Sequence, residues 1–131
     1  MVDVNNFKQV NTKFGHLTGD TVLAEFAALL KASIRGSDAV VRYGGDEFLI
    51  LLADTTIIGS EKVVDRINKH LAKWNIAGHL DGFQLRASIG VAEWHDGESL
   101  DEVLDVADQK MYENKTLQCG PHAIHISDDK D

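Results

Sequence analysis

The order of hydrophobic periodicities along this chain predicts an α+β domain, a mixed β-sheet covered by helices in a split-βαβ arrangement. Three observations carry that expectation. Apolar residues recur at helical spacing through Val22–Ile34, Val63–Trp74 and Leu100–Met111. Phe83, Leu85, Ala87, Ile89 and Val91 alternate with other residues, as a strand with one buried face requires. Two short apolar runs flank Gly44-Gly45-Asp46, a turn-type sequence, and together read as a hairpin.

Taken in order, Met1 to Val4 reads as the end of a strand leading into a short helix around Asn5–Lys13. Val22, Leu23, Phe26, Leu29, Leu30 and Ile34 place a helix over about 19–34, with Thr18 a candidate cap. The hairpin strands are Ala39–Tyr43 and Glu47–Leu52. Val63, Val64, Ile67, Leu71 and Trp74 mark the next amphipathic helix, and Phe83–Val91 the next strand. Ser99 and Glu102 form a capping-box pattern ahead of Leu100, Val103, Leu104, Ala107 and Met111. Ala123, Ile124 and Ile126 suggest a closing strand, and 127–131 a polar tail that frays. Strand, helices, hairpin, helix, strand, helix, strand is the order of polymerase and cyclase palms.

The 131 residues, 44% hydrophobic and 26% charged, suit one domain with a core that needs no staples. The formal net charge of −8 argues against broad nucleic-acid binding and against docking on anionic membrane. It leaves a nucleotide ligand open, since a triphosphate needs only a metal ion and a few local cations. A single cysteine, Cys119, permits no internal disulfide and suits a reducing compartment, so the domain is expected to be cytoplasmic. The apolar runs are too short for direct membrane insertion.

Two places carry chemistry. Gly44 and Gly45 allow a ligand to approach bare backbone and permit positive φ, and the carboxylates Asp46 and Glu47 follow at once. Two acids at a hairpin tip concentrate negative charge, which is costly without a bound cation; taken alone the sequence reads as a solvated acidic turn. Asp3 sits at a strand-to-helix corner. If its strand pairs beside the hairpin, Asp3 and Asp46 can converge on one hard cation, and Mg²⁺ favours few carboxylates completed by water and phosphate oxygens.

Five ordered segments resemble the GGDEF domain of the diguanylate cyclase family. Arg42-Tyr43-Gly44-Gly45-Asp46-Glu47-Phe48 is similar to its naming motif, and Asp3-Val4-Asn5-Asn6-Phe7-Lys8-Gln9-Val10-Asn11 resembles its metal and phosphate segment. Phe14-Gly15-His16-Leu17-Thr18-Gly19-Asp20, Ala87–Ala92 and Ala107–Tyr112 resemble later blocks, so the similarity runs from Val2 to about Lys115.

The resemblance implies condensation of two GTP into cyclic di-GMP and two pyrophosphates, dependent on Mg²⁺ or Mn²⁺. It implies a homodimer in which two domains each present one GTP, and an upstream sensory or dimerisation domain in the full-length protein. Asp3, the Val4 carbonyl and Asp46 would hold the metal, with Glu47 a further acid. Lys8 and Lys115 would pair with phosphates, while Phe7, Gly44 and Gly45 would border the nucleotide. Asn11 and Asp20 would hydrogen-bond the guanine edge, whose N1–H and amine form a donor pair that adenine lacks. Arg35-Gly36-Ser37-Asp38 resembles the family's product-inhibition motif, with Arg66 as a second arginine for that ligand. A GTP or cyclic di-GMP receptor without turnover is the alternative reading.

The departures are specific. Asn5 and Thr12 stand where aspartates are common, and Gln118-Cys119-Gly120-Pro121 replaces the usual Gly-Arg-Asn. The family's leading helix and most of its first strand have no counterpart. Trp74, Trp94 and Tyr112 read as packing residues, His16 as a turn residue, and His122 with His125 as too few ligands for a metal.

Overall fold

The computed structural model of the chain describes residues 1–119; the expected closing strand at 123–126, His122, His125 and the tail lie outside them. Four strands and four helices follow one another as β1 (Val2–Asn5), α1 (Phe7–Phe14), α2 (His16–Ala32), β2 (Ala39–Arg42), β3 (Glu47–Leu51), α3 (Ile57–Ile76), β4 (Arg86–Ile89) and α4 (Leu100–Cys119). The sheet order is β2-β3-β1-β4. The sequence reading expected a mixed sheet, whereas the pairings among the described residues are all antiparallel.

Alternation along β1 divides its residues between two layers. Val2 and Val4 turn to the larger core, where Phe7, Val10, Val22, Phe26, Leu30, Val63, Ile67 and Leu71 bring α1, α2 and α3 against Phe48 and Ala87. Met1 turns to the opposite face and packs with Ala107 and Met111 of α4. Asp3 and Asn5 share that second face by their odd positions, and all four β1 residues are buried.

Several boundaries differ from expectation for identifiable reasons. The second helix starts at His16, so Thr18 lies in its first turn and caps nothing. Gly15, at φ 91°, separates the two helices: its N–H closes α1 on the Asn11 carbonyl, and its carbonyl accepts the Gly19 N–H to open α2. The first helix begins at Phe7 because Asn6 takes the left-handed conformation, which asparagine tolerates. The third begins at Ile57, where the Thr56 hydroxyl accepts from the Gly59 N–H. The fourth has the expected capping box, with reciprocal 3.1 Å bonds between Ser99 and Glu102.

β4 is shorter than the alternating run 83–91 because β1 opposes only part of it. Upstream, the Asn75 side chain substitutes for a strand, exchanging bonds of 2.8 and 2.9 Å with the Leu85 backbone. Downstream, Gly90 exchanges both backbone bonds with Met1. Beyond that pair, Leu49–Leu52 and Gly90–Glu93 border a cavity of about 780 Å³ that also reaches α3 and α4.

Gly90 sets how closely α4 lies on the sheet. A Cβ there would run into the Ala107 carbonyl and the Met111 amide, which are helix backbone and cannot rotate away. Gly90→Ala is therefore expected to lower stability by about 1–3 kcal/mol or more, as overpacking does. Gly36→Ala, which meets nothing within 4 Å, should change it little. Denaturant unfolding of the two variants checks the contrast.

Candidate active site

The acid cluster forms where β1 and β3 meet. Asp3 lies opposite Glu47 in the antiparallel register, so their side chains emerge on the same face. The Val4 N–H donates to the Asp46 carbonyl at 3.0 Å, which ties the hairpin tip to the strand. Asp46 and Glu47 are half-buried, and Asp3 is buried.

Asp3 is the unusual residue. Lys115, reaching down from α4, donates to Asp3 Oδ2 at 3.2 Å. Oδ1 is buried with no hydrogen-bond partner among the described residues. Burial, then the neighbouring charge of Asp46, pushes the Asp3 carboxyl up to about 6; Lys115 opposes this and Glu47 adds to it. An orphaned carboxylate oxygen beside Asp46 and Glu47 has the chemistry to receive a hard cation such as Mg²⁺, whose shell takes few carboxylates completed by water and phosphate oxygens. Among the described residues no group of three or more metal-ligating side chains could hold an ion by itself.

Asn5, on the same face as Asp3, is bonded to the neighbouring strand. Its Oδ1 accepts from the Ser88 hydroxyl at 2.9 Å inside the sheet layer. The amide that replaces a common aspartate is thus committed to β4. Thr12, at the other departure, bonds back to the Lys8 carbonyl at 3.0 Å.

The glycine turn differs from the sequence reading in one respect. Neither Gly44 nor Gly45 adopts a left-handed φ, so positive φ is not what requires them here. An added Cβ at Gly45 meets nothing within 4 Å, whereas one at Gly44 would come within 3.5 Å of Glu47 Oε1.

A second group of residues lies at the start of α2. Phe7 is buried, so it offers a ligand only its backbone, while Lys8 is exposed one residue later. Asn11 is half-buried and Asp20 exposed. Gly19 joins these, and sequence reasoning passed over it: a Cβ at this buried helical position would collide with Asn11 Oδ1 and come within 3.2 Å of the Phe7 ring. The available signal was a glycine inside an amphipathic helix, which costs about 1 kcal/mol relative to alanine without a packing reason.

The arginine motif lies at the far end of β2. Asp38 Oδ2 accepts the Arg35 N–H at 3.0 Å and its Nε at 3.5 Å, and Oδ1 accepts the Ala53 N–H at 2.9 Å. Burial works against the Asp38 charge, but these bonds prevail and hold the carboxyl below its usual value. Arg35 Nη2 donates to the Ala53 carbonyl at 2.7 Å and to Thr55 Oγ1 at 3.0 Å. Arg66 Nε donates to the Ser33 carbonyl at 2.9 Å. The expected packing residues also find partners. Trp74 Nε1 donates to Glu25 at 2.8 Å and Trp94 Nε1 to the Glu98 carbonyl at 3.0 Å.

An antiparallel sheet layered between helices, with acids where its central strand meets a glycine hairpin, is a palm-like α+β arrangement. The chain matches the family described as diguanylate cyclase, GGDEF domain, over residues 1–119, and it belongs to that family. Diguanylate cyclase A of Treponema denticola is 35% identical over 128 residues, 97% of this chain and 34% of that protein. The chain thus spans about a third of that relative's length. The crystal structure of diguanylate cyclase SiaD with its activator SiaC from Pseudomonas aeruginosa superposes with a TM-score of 0.79 at 33% identity, covering 87% of this chain and 44% of that one. The GGDEF domain of DgcB from Caulobacter crescentus, in complex with c-di-GMP, gives a TM-score of 0.79 at 25% identity over 91% of this chain and 70% of its own.

Gly19→Ala is expected to unseat the Asn11 amide at a stability cost of about 1–3 kcal/mol. The side-chain NH₂ resonances of Asn11 should move in an amide NMR spectrum while those of Asn75, bonded to Leu85, stay in place.

Proposed function

We propose that this chain condenses two molecules of GTP into cyclic di-GMP, releasing two pyrophosphates, with Mg²⁺ or Mn²⁺ and across two facing copies of the domain. The observation that carries this reading is the buried, unpartnered Oδ1 of Asp3 beside Asp46 and Glu47. Bound there, a divalent ion supplies Lewis acidity to the α-phosphate and neutralises the charge developing on pyrophosphate.

The residues of the chain do the rest. Asp3, Asp46 and the Val4 carbonyl would hold the ion on the phosphates, and Glu47 would accept the proton of the attacking 3′-hydroxyl or assist the ion. Lys115, already at Asp3, moves only a short way to meet phosphate; Lys8 offers a second cation from α1. Asn11 and Asp20 would select guanine, because adenine would leave polar groups covered by the bound base unpaired at about 1–3 kcal/mol each. One domain holds one nucleotide, so the two-fold product requires two domains. A segment upstream in the full-length protein would supply their encounter.

The arginine motif supports feedback by the product. Arg35 keeps 58% of its side chain exposed, and with Nε and Nη2 anchored its Nη1 N–H groups remain to meet a phosphate oxygen or guanine. Asp38 accepts from three N–H groups with its side chain only 1% exposed, so it would serve the product by orienting Arg35. The four residues of β2 separate this site from the tip, which makes inhibition non-competitive with GTP. The same anchored, exposed guanidinium favours the second reading, a cyclic di-GMP receptor without turnover.

Incubation with GTP and Mg²⁺ followed by mass spectrometry separates the two. Cyclic di-GMP is expected from the wild-type chain and none from Asp46→Ala, whose unfolding midpoint should stay close to wild type. Added Mg²⁺ should stabilise the wild type and not the variant. Near-normal turnover by Asp46→Ala would remove it from the metal site. Arg35→Ala should weaken cyclic di-GMP binding by about 1.5–3 kcal/mol in calorimetry while leaving the initial rate intact. The reverse pattern would place Arg35 in the catalytic site.

A further inference from the structure

Arg42, the last residue of β2, makes contacts that neither the acid cluster nor the arginine motif accounts for. Its Nε donates to the Gly44 carbonyl at 3.2 Å and its Nη2 to the Gly45 carbonyl at 2.7 Å. One guanidinium thus grips two consecutive peptide groups of the turn. The described residues include no cis peptide, and in a planar trans peptide the N–H points opposite the C=O. Fixing these two carbonyls on the Arg42 side therefore aims the N–H groups of Gly45 and Asp46 to the other side. Neither N–H has a hydrogen-bond partner among the described residues. The tip is anchored at two further points. The Tyr43 and Gly44 N–H groups both donate to the Glu47 carbonyl at 2.9 and 3.2 Å, and the Asp46 carbonyl accepts from Val4 at 3.0 Å.

We propose that Arg42 is a positioning residue: its fork locks the glycine turn so that the adjacent N–H groups of Gly45 and Asp46 form a small anion-binding concavity for a phosphate oxygen of the nucleotide. Successive N–H groups held on one side of a turn make such concavities. The absence of side chains at Gly44 and Gly45 lets a phosphate come close. The concavity also offsets the repulsion that Asp46 and Glu47 would exert on a triphosphate. Lysine cannot substitute, because a single ammonium on a flexible stem does not hold two carbonyls in a fixed plane. The role rests on the proposed use of GTP and deepens it; Arg42 acts through the turn rather than on the reacting atoms.

The test compares wild type, Arg42→Lys and Arg42→Gln in the whole chain. The readouts are kcat and KM for GTP, and the amide resonances of Gly45 and Asp46 with and without Mg²⁺ and a non-hydrolysable GTP analogue. Misplacing a phosphate-holding turn by about 1 Å can lower turnover on the order of 100-fold. Both variants should lose about 10- to 100-fold in kcat, the charge-conserving lysine included, while cyclic di-GMP binding at Arg35 stays within about twofold. The Gly45 and Asp46 amides should exchange faster in the variants and lose the shift that the analogue causes in wild type. Wild-type kcat in Arg42→Lys, with unmoved Gly45 and Asp46 amides, overturns the proposal and leaves the cyclase reading standing. If the wild-type chain makes no cyclic di-GMP, the cyclase reading falls and the amide comparison alone decides: unchanged amides in Arg42→Lys overturn the clamp, faster exchange supports it.

Discussion

The structure depends on a demand placed on one short strand: β1 must be the buried centre of the sheet and also carry an acid. Strands on both sides satisfy its backbone, and Val2 and Val4 fill the larger core. Asp3, between them, turns to the opposite face as a consequence of the two-residue repeat. A carboxylate there loses its water and finds one partner, Lys115, for one oxygen. An unsatisfied buried polar atom costs about 1–3 kcal/mol, a sizeable share of a marginal stability of about 5–15 kcal/mol. The cost is concentrated at Asp3, where burial and the charge of Asp46 raise the carboxyl to about 6.

The two faces of the sheet meet that demand differently. On one side, large side chains from three helices set the layer spacing. On the other, small groups do so: Gly90, Ala107 and the buried Ser88 let the backbone of α4 settle against the strands. The close approach of α4 is what brings Lys115 within 3.2 Å of Asp3. The missing side chain at Gly90 and the charge at Lys115 are therefore steps of one arrangement. A similar relation joins Gly19 to Asn11, since two crossing helices can seat a polar amide between them only where one helix lacks a Cβ.

Much of this was legible in the sequence. Hydrophobic period marked the three longer helices and β4, the Gly44-Gly45-Asp46 turn marked the hairpin, and the Ser99/Glu102 box marked the start of α4 to the residue. Boundaries slipped where a local conformation overrode the pattern. Gly15 and Asn6 take left-handed backbone between helices, and Asn75 replaces a strand by bonding Leu85, which no periodicity encodes. The acids and the arginine motif were readable because motif spacing survives in the chain. Their environments were not. The commitment of Asn5 to Ser88, the orphaned oxygen of Asp3 and the grip of Asp38 on Ala53 arise from pairings across separations of 83, 112 and 15 residues.

The hairpin β2–β3 then acquires a physical description as a short two-stranded rod with an arginine at each end. At one end Arg35 and Asp38 hold the Ala53–Thr55 segment that leads into α3; at the other Arg42 holds Gly44 and Gly45. β2 is an edge strand, mostly exposed, with little core burial of its own to fix it. Edge strands move unless something pins them, and here the pins are charged forks on backbone carbonyls rather than packed side chains. Such bonds are directional, so they set the angle of the peptide groups as well as their position. They also lie at the surface, where each contributes modestly to stability, about 0.5–3 kcal/mol. The arrangement concentrates precision at the two ends where ligands of high negative charge would arrive, and leaves the strand between them held mainly by its four-residue ladder to β3.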